Sequence, residues 1–140
     1  MATSTKIDHL RALPLFEGCT NREFQRIAQA VDEISVPAGT ELLVQGRKGR
    51  EAFVIVHGRV TIRRDGRKIA TASVGELVGE LSLLDNGPRT ASAVCETDCD
   101  LITLDHRHFR SVLESSPTIT SKMLAVLARR VRERDRLTYG

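Results

Sequence analysis

Apolar residues fall along this chain in three successive rhythms. Behind Thr20 and Asn21, the residues Phe24, Ile27, Ala28 and Val31 recur at spacings of three and four, which predicts a short amphipathic helix with a capped start. From about Ile34 to Asp105 the rhythm changes to short apolar or alternating runs separated by glycine turns, the signature of strands. Pro37-Ala38-Gly39 precedes a run from Thr40 to Val44, and Gly46 and Gly49 bracket a basic turn before Ala52 to Val56. Gly58 leads into Val60-Thr61-Ile62, and Asp65-Gly66 reads as the hairpin turn before Lys68 to Ser73. Further strands are predicted at Ala91 to Val94 and Asp100 to Leu104.

The unbroken run Ala52-Phe53-Val54-Ile55-Val56 suits a strand covered on both faces, whereas Arg59, Thr61 and Arg63 alternate with Val60 and Ile62 as on a half-exposed strand. Many short strands at this spacing imply a sandwich or barrel. Helical spacing returns at Phe109, Val112 and Leu113, in a short helix that Pro117 ends because proline lacks an amide donor and restricts its predecessor. A longer helix follows, with Ile119, Met123, Leu127 and Val131 four apart and Leu124 beside them. Such a helix either packs on its own body or pairs with a second copy, and the spacing leaves both open.

Composition narrows the class. At 140 residues, 41% hydrophobic and 28% charged, the chain is long enough for one domain with its own core. No apolar run approaches the ~20 residues of a spanning helix, and the polar start to Arg11 lacks the apolar stretch of a signal peptide. A cytoplasmic protein without membrane contact is expected. Cys19, Cys95 and Cys99 are expected to be reduced, and Cys95 and Cys99 followed by His106 and His108 lack the tight spacing of a closed zinc site, so no metal is expected. Residues from Thr118 onward carry six basic side chains against two acids, and the preceding 117 carry 15 against 16, so the tail accounts for the basic balance. A basic helix end complements the helix dipole and is read as a solvated face.

The chemistry concentrates in Gly75 to Val94. Gly79 lets backbone approach a ligand, and Glu80 to Leu84 favour one helical turn before the stop signal Asp85-Asn86-Gly87-Pro88. Free amides at that turn's start attract a phosphate, and Arg89 offers a guanidinium fork suited to phosphate oxygens, with the Thr90 hydroxyl next to it. A carboxylate at Glu80 would repel a bare anion but accepts hydrogen bonds from a sugar hydroxyl, so a ribose phosphate meets both requirements. No serine, histidine and acid are spaced as a catalytic set, and an enzyme is not expected.

Gly79-Glu80-Leu81-Ser82-Leu83 followed by Pro88-Arg89-Thr90-Ala91 resembles the phosphate-binding cassette of the cyclic-nucleotide-binding domain, a family shared by catabolite-activator-like regulators, kinase regulatory subunits and gated channels. The upstream VQGRKGREAFVIVHGRVTI resembles that family's glycine-punctuated hairpin, and the likeness runs from about Phe16 to Arg136. It implies an α+β, mainly β fold: a double-stranded β-helix, or jelly-roll sandwich, flanked by N- and C-terminal helices. The expected single unit covers 1–140, with a helical part at 1–32, the jelly roll at 33–105 and C-terminal helices at 106–137.

The resemblance further implies that Glu80 holds the ribose 2′-hydroxyl and Arg89 the cyclic phosphate. Backbone amides near Leu81 and Ser82, with Thr90, would complete the phosphate shell beside Ala91, and Val78 would line the pocket. The implied ligand is cyclic AMP, with cyclic GMP compatible with Thr90, and no other cofactor is implied. The implied activity is sensing, in which capture of the nucleotide moves the C-terminal helices; the alternative is an interaction module that ignores nucleotide and acts through its terminal helix. Implied partners are a second copy through that helix or a separate effector protein. Direct DNA contact is not expected, because no helix-turn-helix follows the long helix. Arg47 and Arg50 stand where the family commonly has acids, and Val78 where it often has an aromatic residue.

Overall fold

The computed structural model describes residues 2–80 and 87–139; within these, the side chains of 2–5, 130 and 134–139 are not described. Among the described residues, eight strands form two antiparallel four-stranded sheets. One sheet has the order β1 (Asp32–Val36), β8 (Cys99–Asp105), β3 (Glu51–His57), β6 (Leu77–Val78). The other runs β2 (Glu41–Leu43), β7 (Ser92–Cys95), β4 (Val60–Arg64), β5 (Arg67–Ala72). The two sheets face each other as a jelly roll, with helices α1 (Ala2–Ala12), α2 (Asn21–Ala30), α3 (His106–Ser115) and α4 (Pro117–Tyr139) at the chain's two ends.

Strand β3 explains why the sandwich has a second core. Phe53 and Ile55 join Val60, Ala93 and Leu101 between the sheets, while Ala52, Val54 and Val56 pack on the opposite face against the helices. The period-two geometry of a strand sends alternate side chains to opposite faces, and both faces of β3 are covered. Leu10, Leu13 and Phe16 from the N-terminal segment, Phe24 and Ile27 from α2, and Phe109 and Val112 from α3 complete the helix-side core. On β4 the expected alternation holds less well, because Thr61 is only 8% exposed despite sharing its strand face with the exposed Arg59 and Arg63.

Helix ends follow local chemistry. Thr20 caps α2 through a reciprocal capping box in which its hydroxyl accepts the Glu23 amide and the Glu23 carboxylate accepts the Thr20 amide. Asp105 caps α3 by accepting the His108 amide at 2.8 Å, which holds its carboxyl below the usual range. Helix α3 stops at Ser115, and Pro117 opens α4, as the missing amide of proline dictates. Ile119 and Met123 of α4 are buried on the body, but Leu124 is 63% exposed and Val131 59%. The last member of the apolar stripe therefore leaves the protein's own core.

The C-terminal helix is also tied to the start of the chain. Lys122 Nζ donates to the Pro14 carbonyl at 3.1 Å. Pro14 in turn lies against Gly75 so closely that a Cβ there would stand 2.6 Å from Pro14 Cδ.

Candidate functional site

The site is assembled where the end of β6 meets the turn before β7. Val78 pairs with Phe53 of β3 and points into the inter-sheet core. Gly79 follows at φ +89°, a backbone conformation that glycine adopts without steric cost. A Cβ at Gly79 would lie 2.7 Å from Arg89 Nη1 and 3.1 Å from the Glu51 carbonyl oxygen, so the absence of a side chain makes room for the guanidinium.

Arg89 is 7% exposed and is gripped from two sides. Its Nη1 donates to the Gly79 carbonyl at 2.8 Å and its Nη2 to the Glu51 carbonyl at 2.6 Å. Both acceptors are neutral dipoles, and among the described residues they take two of the five guanidinium donors. Burial pushes the guanidinium pKa down and the nearby Glu51 charge opposes that, but arginine stays protonated, so the burial registers as a desolvation cost. A buried cation fixed by carbonyls is suited to an anion with several oxygen acceptors.

Glu80 is 1% exposed and sits one residue beyond the carbonyl that anchors Arg89. The two charged side chains of the motif, 80 and 89, are thus both buried, at the same end of β6. Ala91 is buried behind them, and Thr90 is exposed at the edge. Leu81 and Ser82, and the helical turn expected through Leu84, lie outside the described residues.

Sequence reasoning missed the partner of this turn. The segment Arg47-Lys48-Gly49-Arg50, which reads as a plain exposed turn, is joined through its first half to the Arg89 segment. The Arg89 amide donates to the Arg47 carbonyl at 2.8 Å, the Gly46 amide to the Arg89 carbonyl at 2.9 Å, and Lys48 bridges to Pro88. At Gly49 the guanidinium carbon occupies the space a Cβ would need. Gly49 and the carbonyl of Glu51 are therefore positioning elements for Arg89. The spacing of Gly46 and Gly49 signals a tight turn, but nothing local in the sequence says that an arginine about forty positions on fills it.

Cys95 and Cys99 are both buried in the inter-sheet core, and among the described residues no three His, Cys, Asp or Glu side chains gather as a metal site. Burial and the neighbouring Cys99 push the Cys95 thiol up to about 12. Among the described residues no helix is long and apolar enough to cross a membrane.

Comparisons with known proteins agree with this arrangement. The family model of the cyclic nucleotide-binding domain matches residues 33–116. The chain is 32% identical over 131 residues to the cyclic AMP receptor protein of Thermus thermophilus, covering 90% of this chain and 61% of that protein. The solved catabolite activator protein of Thermus thermophilus superposes with a TM-score of 0.79 at 34% identity, over 87% of this chain and 60% of that one. The regulatory subunit of a cAMP-independent protein kinase A from Trypanosoma brucei superposes with a TM-score of 0.80 at 25% identity, over 94% of this chain and 46% of that one. The chain thus spans somewhat over half the length of the curated relatives it matches first. With the family model covering most of the chain and the buried Arg89 and Glu80 at the end of β6, this chain belongs to the cyclic nucleotide-binding domain family.

Proposed function

We propose that this domain is a regulatory sensor that takes cyclic AMP in the pocket at the end of β6. The observation that carries the reading is Arg89, a buried guanidinium held open by the Gly79 and Glu51 carbonyls and ready for a cyclic phosphate. Glu80 would accept the ribose 2′-hydroxyl, the amides of Leu81 and Ser82 with Thr90 would complete the phosphate shell, and Val78 and Ala91 would line the floor. Cyclic AMP is preferred to cyclic GMP because the Thermus thermophilus relative is named a cyclic AMP receptor protein.

Ligand acts on helix position only through a difference in affinity between two arrangements. The route proposed for it would run from the cassette back through β6 to Gly75, across to Pro14, and on to Lys122 of α4, which are neighbours in space. The exposed Leu124 and Val131, seven residues apart on α4, form the surface through which a second copy or an effector would read that movement.

Calorimetry with cyclic AMP and cyclic GMP on the native domain and on Arg89→Ala tests the reading. The native domain is expected to bind cyclic AMP more tightly, and unchanged affinity in the variant would sink the assignment of Arg89. A second reading, a nucleotide-independent interaction module, is favoured by those same exposed apolar residues on α4 and by a likeness to a subunit described as cAMP-independent. A ligand at a hundredfold excess over its Kd should stabilise the fold by about 2.7 kcal/mol, so a flat thermal-shift profile with both nucleotides selects this second reading.

A further inference from the structure

Outside the basic end of α4, the positive charge of this domain concentrates in two segments that are bonded to the residues around Arg89. Loop 47–50 contributes Arg47, Lys48 and Arg50. The β4–β5 hairpin tip, 63–68, contributes Arg63, Arg64, Arg67 and Lys68 against the single acid Asp65. Apart from these two segments, the first 117 residues carry eight basic side chains against fifteen acids. A locally cationic rim therefore sits on an acidic body.

Both segments are fastened to the turn that carries Arg89. The loop is zipped to residues 88 and 89 by the backbone bonds already described. The hairpin tip is pinned by Arg64, whose Nε donates to the Thr90 carbonyl at 3.1 Å. Gln45, which precedes the loop, exchanges two 2.9 Å bonds with Asp65 and donates its amide to Ser92 Oγ. The one acid of the rim is thus occupied by an amide side chain. Arg47, Lys48, Arg50, Arg63, Arg67 and Lys68 are exposed, and none makes an ion pair with a described residue.

A charge with no partner in the fold adds little to stability, but it adds to the field at the mouth of a low-dielectric cleft, where one sign of charge raises the local concentration of the opposite sign. We infer that the rim steers anionic ligands into the Arg89 pocket, so that it governs the rate of capture while Arg89 governs retention. The inference rests on the cyclic-nucleotide reading of that pocket. It also assigns a purpose to the basic residues at 47 and 50. Beside a pocket that already holds a buried acid, Glu80, a positive rim offsets the long-range repulsion a negatively charged ligand meets on approach.

The test is stopped-flow association of a fluorescent cyclic AMP analogue bearing one phosphate charge, at ionic strengths from about 10 mM to about 500 mM, over which the screening length shrinks from roughly 30 Å to a few ångströms. The native domain is expected to lose about tenfold in association rate across that range, the low end of known steering effects. Lys48→Glu/Arg50→Glu/Arg67→Glu is expected to associate about tenfold more slowly at the lowest salt, to converge on the native rate at the highest, and to keep its dissociation rate within about twofold. A native rate indifferent to salt, or a variant that matches it at low salt, overturns the inference while leaving the pocket assignment intact. Failure of the native domain to bind the analogue at all overturns the pocket reading and the rim with it. Should the triple reversal lower the thermal midpoint, Lys48→Gln/Arg50→Gln/Arg67→Gln removes the charge without adding acids and is held to the same two outcomes, at about threefold.

Discussion

Arg89 and Glu23 are both charged side chains held by at least one residue distant in sequence, but their partners differ in kind. At Glu23, donors meet an anion: the Thr20 amide reaches one carboxylate oxygen at 2.9 Å and the Ser116 hydroxyl the other at 2.5 Å. These bonds, the Ser116 one foremost, hold its carboxyl below the usual range. That joint closes on itself and ties the start of α2 to the break between α3 and α4. At Arg89, donors meet carbonyls, which fix the direction of the guanidinium without discharging it. One arrangement sets a carboxylate against its donors, and the other leaves a buried guanidinium against neutral carbonyls, the feature on which the proposed anion site rests.

The comparison breaks most visibly at Arg89. Arg89→Ala is expected to cost about 2 to 5 kcal/mol of cyclic AMP binding, read by calorimetry, because a buried charged contact loses one partner. Gly49→Ala comes next. The added methyl overlaps the guanidinium, and the rearrangement is expected to cost about 1 to 3 kcal/mol of stability in urea titration, with weaker nucleotide binding alongside.

At the other joint, Thr20→Ala should remove about 1 kcal/mol of stability through the lost cap, with nucleotide affinity unchanged. The smallest effect concerns acid. Because the folded-state pKa of Glu23 lies below its ordinary value of 4.5, its contribution is present at neutral pH and fades as the pH falls through the folded value. Asp105 behaves alike from an ordinary value of 3.8. Glu23→Gln should therefore flatten part of the loss of stability seen on acidification in a pH series of thermal melts.

The two joints were not equally legible in the sequence. The capping box at Thr20 and Glu23 is a local pattern, as are the Asp65-Gly66 hairpin and the Pro117 break, and each appears where one to a few neighbouring residues demand it. The jelly roll and its covered strand β3 followed from the glycine-punctuated runs together with the family resemblance. Strand β6 did not, since two residues, Leu77 and Val78, carry no period of their own and are strand only because β3 lies beside them. Ser116 was likewise silent, because its bond to Glu23 spans most of the chain. At the site, Gly79, Glu80 and Arg89 stood out by residue type and order. Gly49 and the Glu51 carbonyl did not, because a backbone oxygen leaves no mark in the sequence and a turn glycine has many uses. For α4 the spacing left two packings open, and Val131, in register with the stripe, faces outward.

The carbonyl that grips Nη2 of Arg89 belongs to the first residue of β3, whose next five residues are all buried. The anchor is therefore continuous with a strand whose interior is wholly buried. On the proposed assignment of Arg89, enlarging or hollowing out the interior at Ala52 or Phe53 would reach the ligand through a single hydrogen bond, and affinity for the nucleotide would double as a gauge of how well the interior is packed.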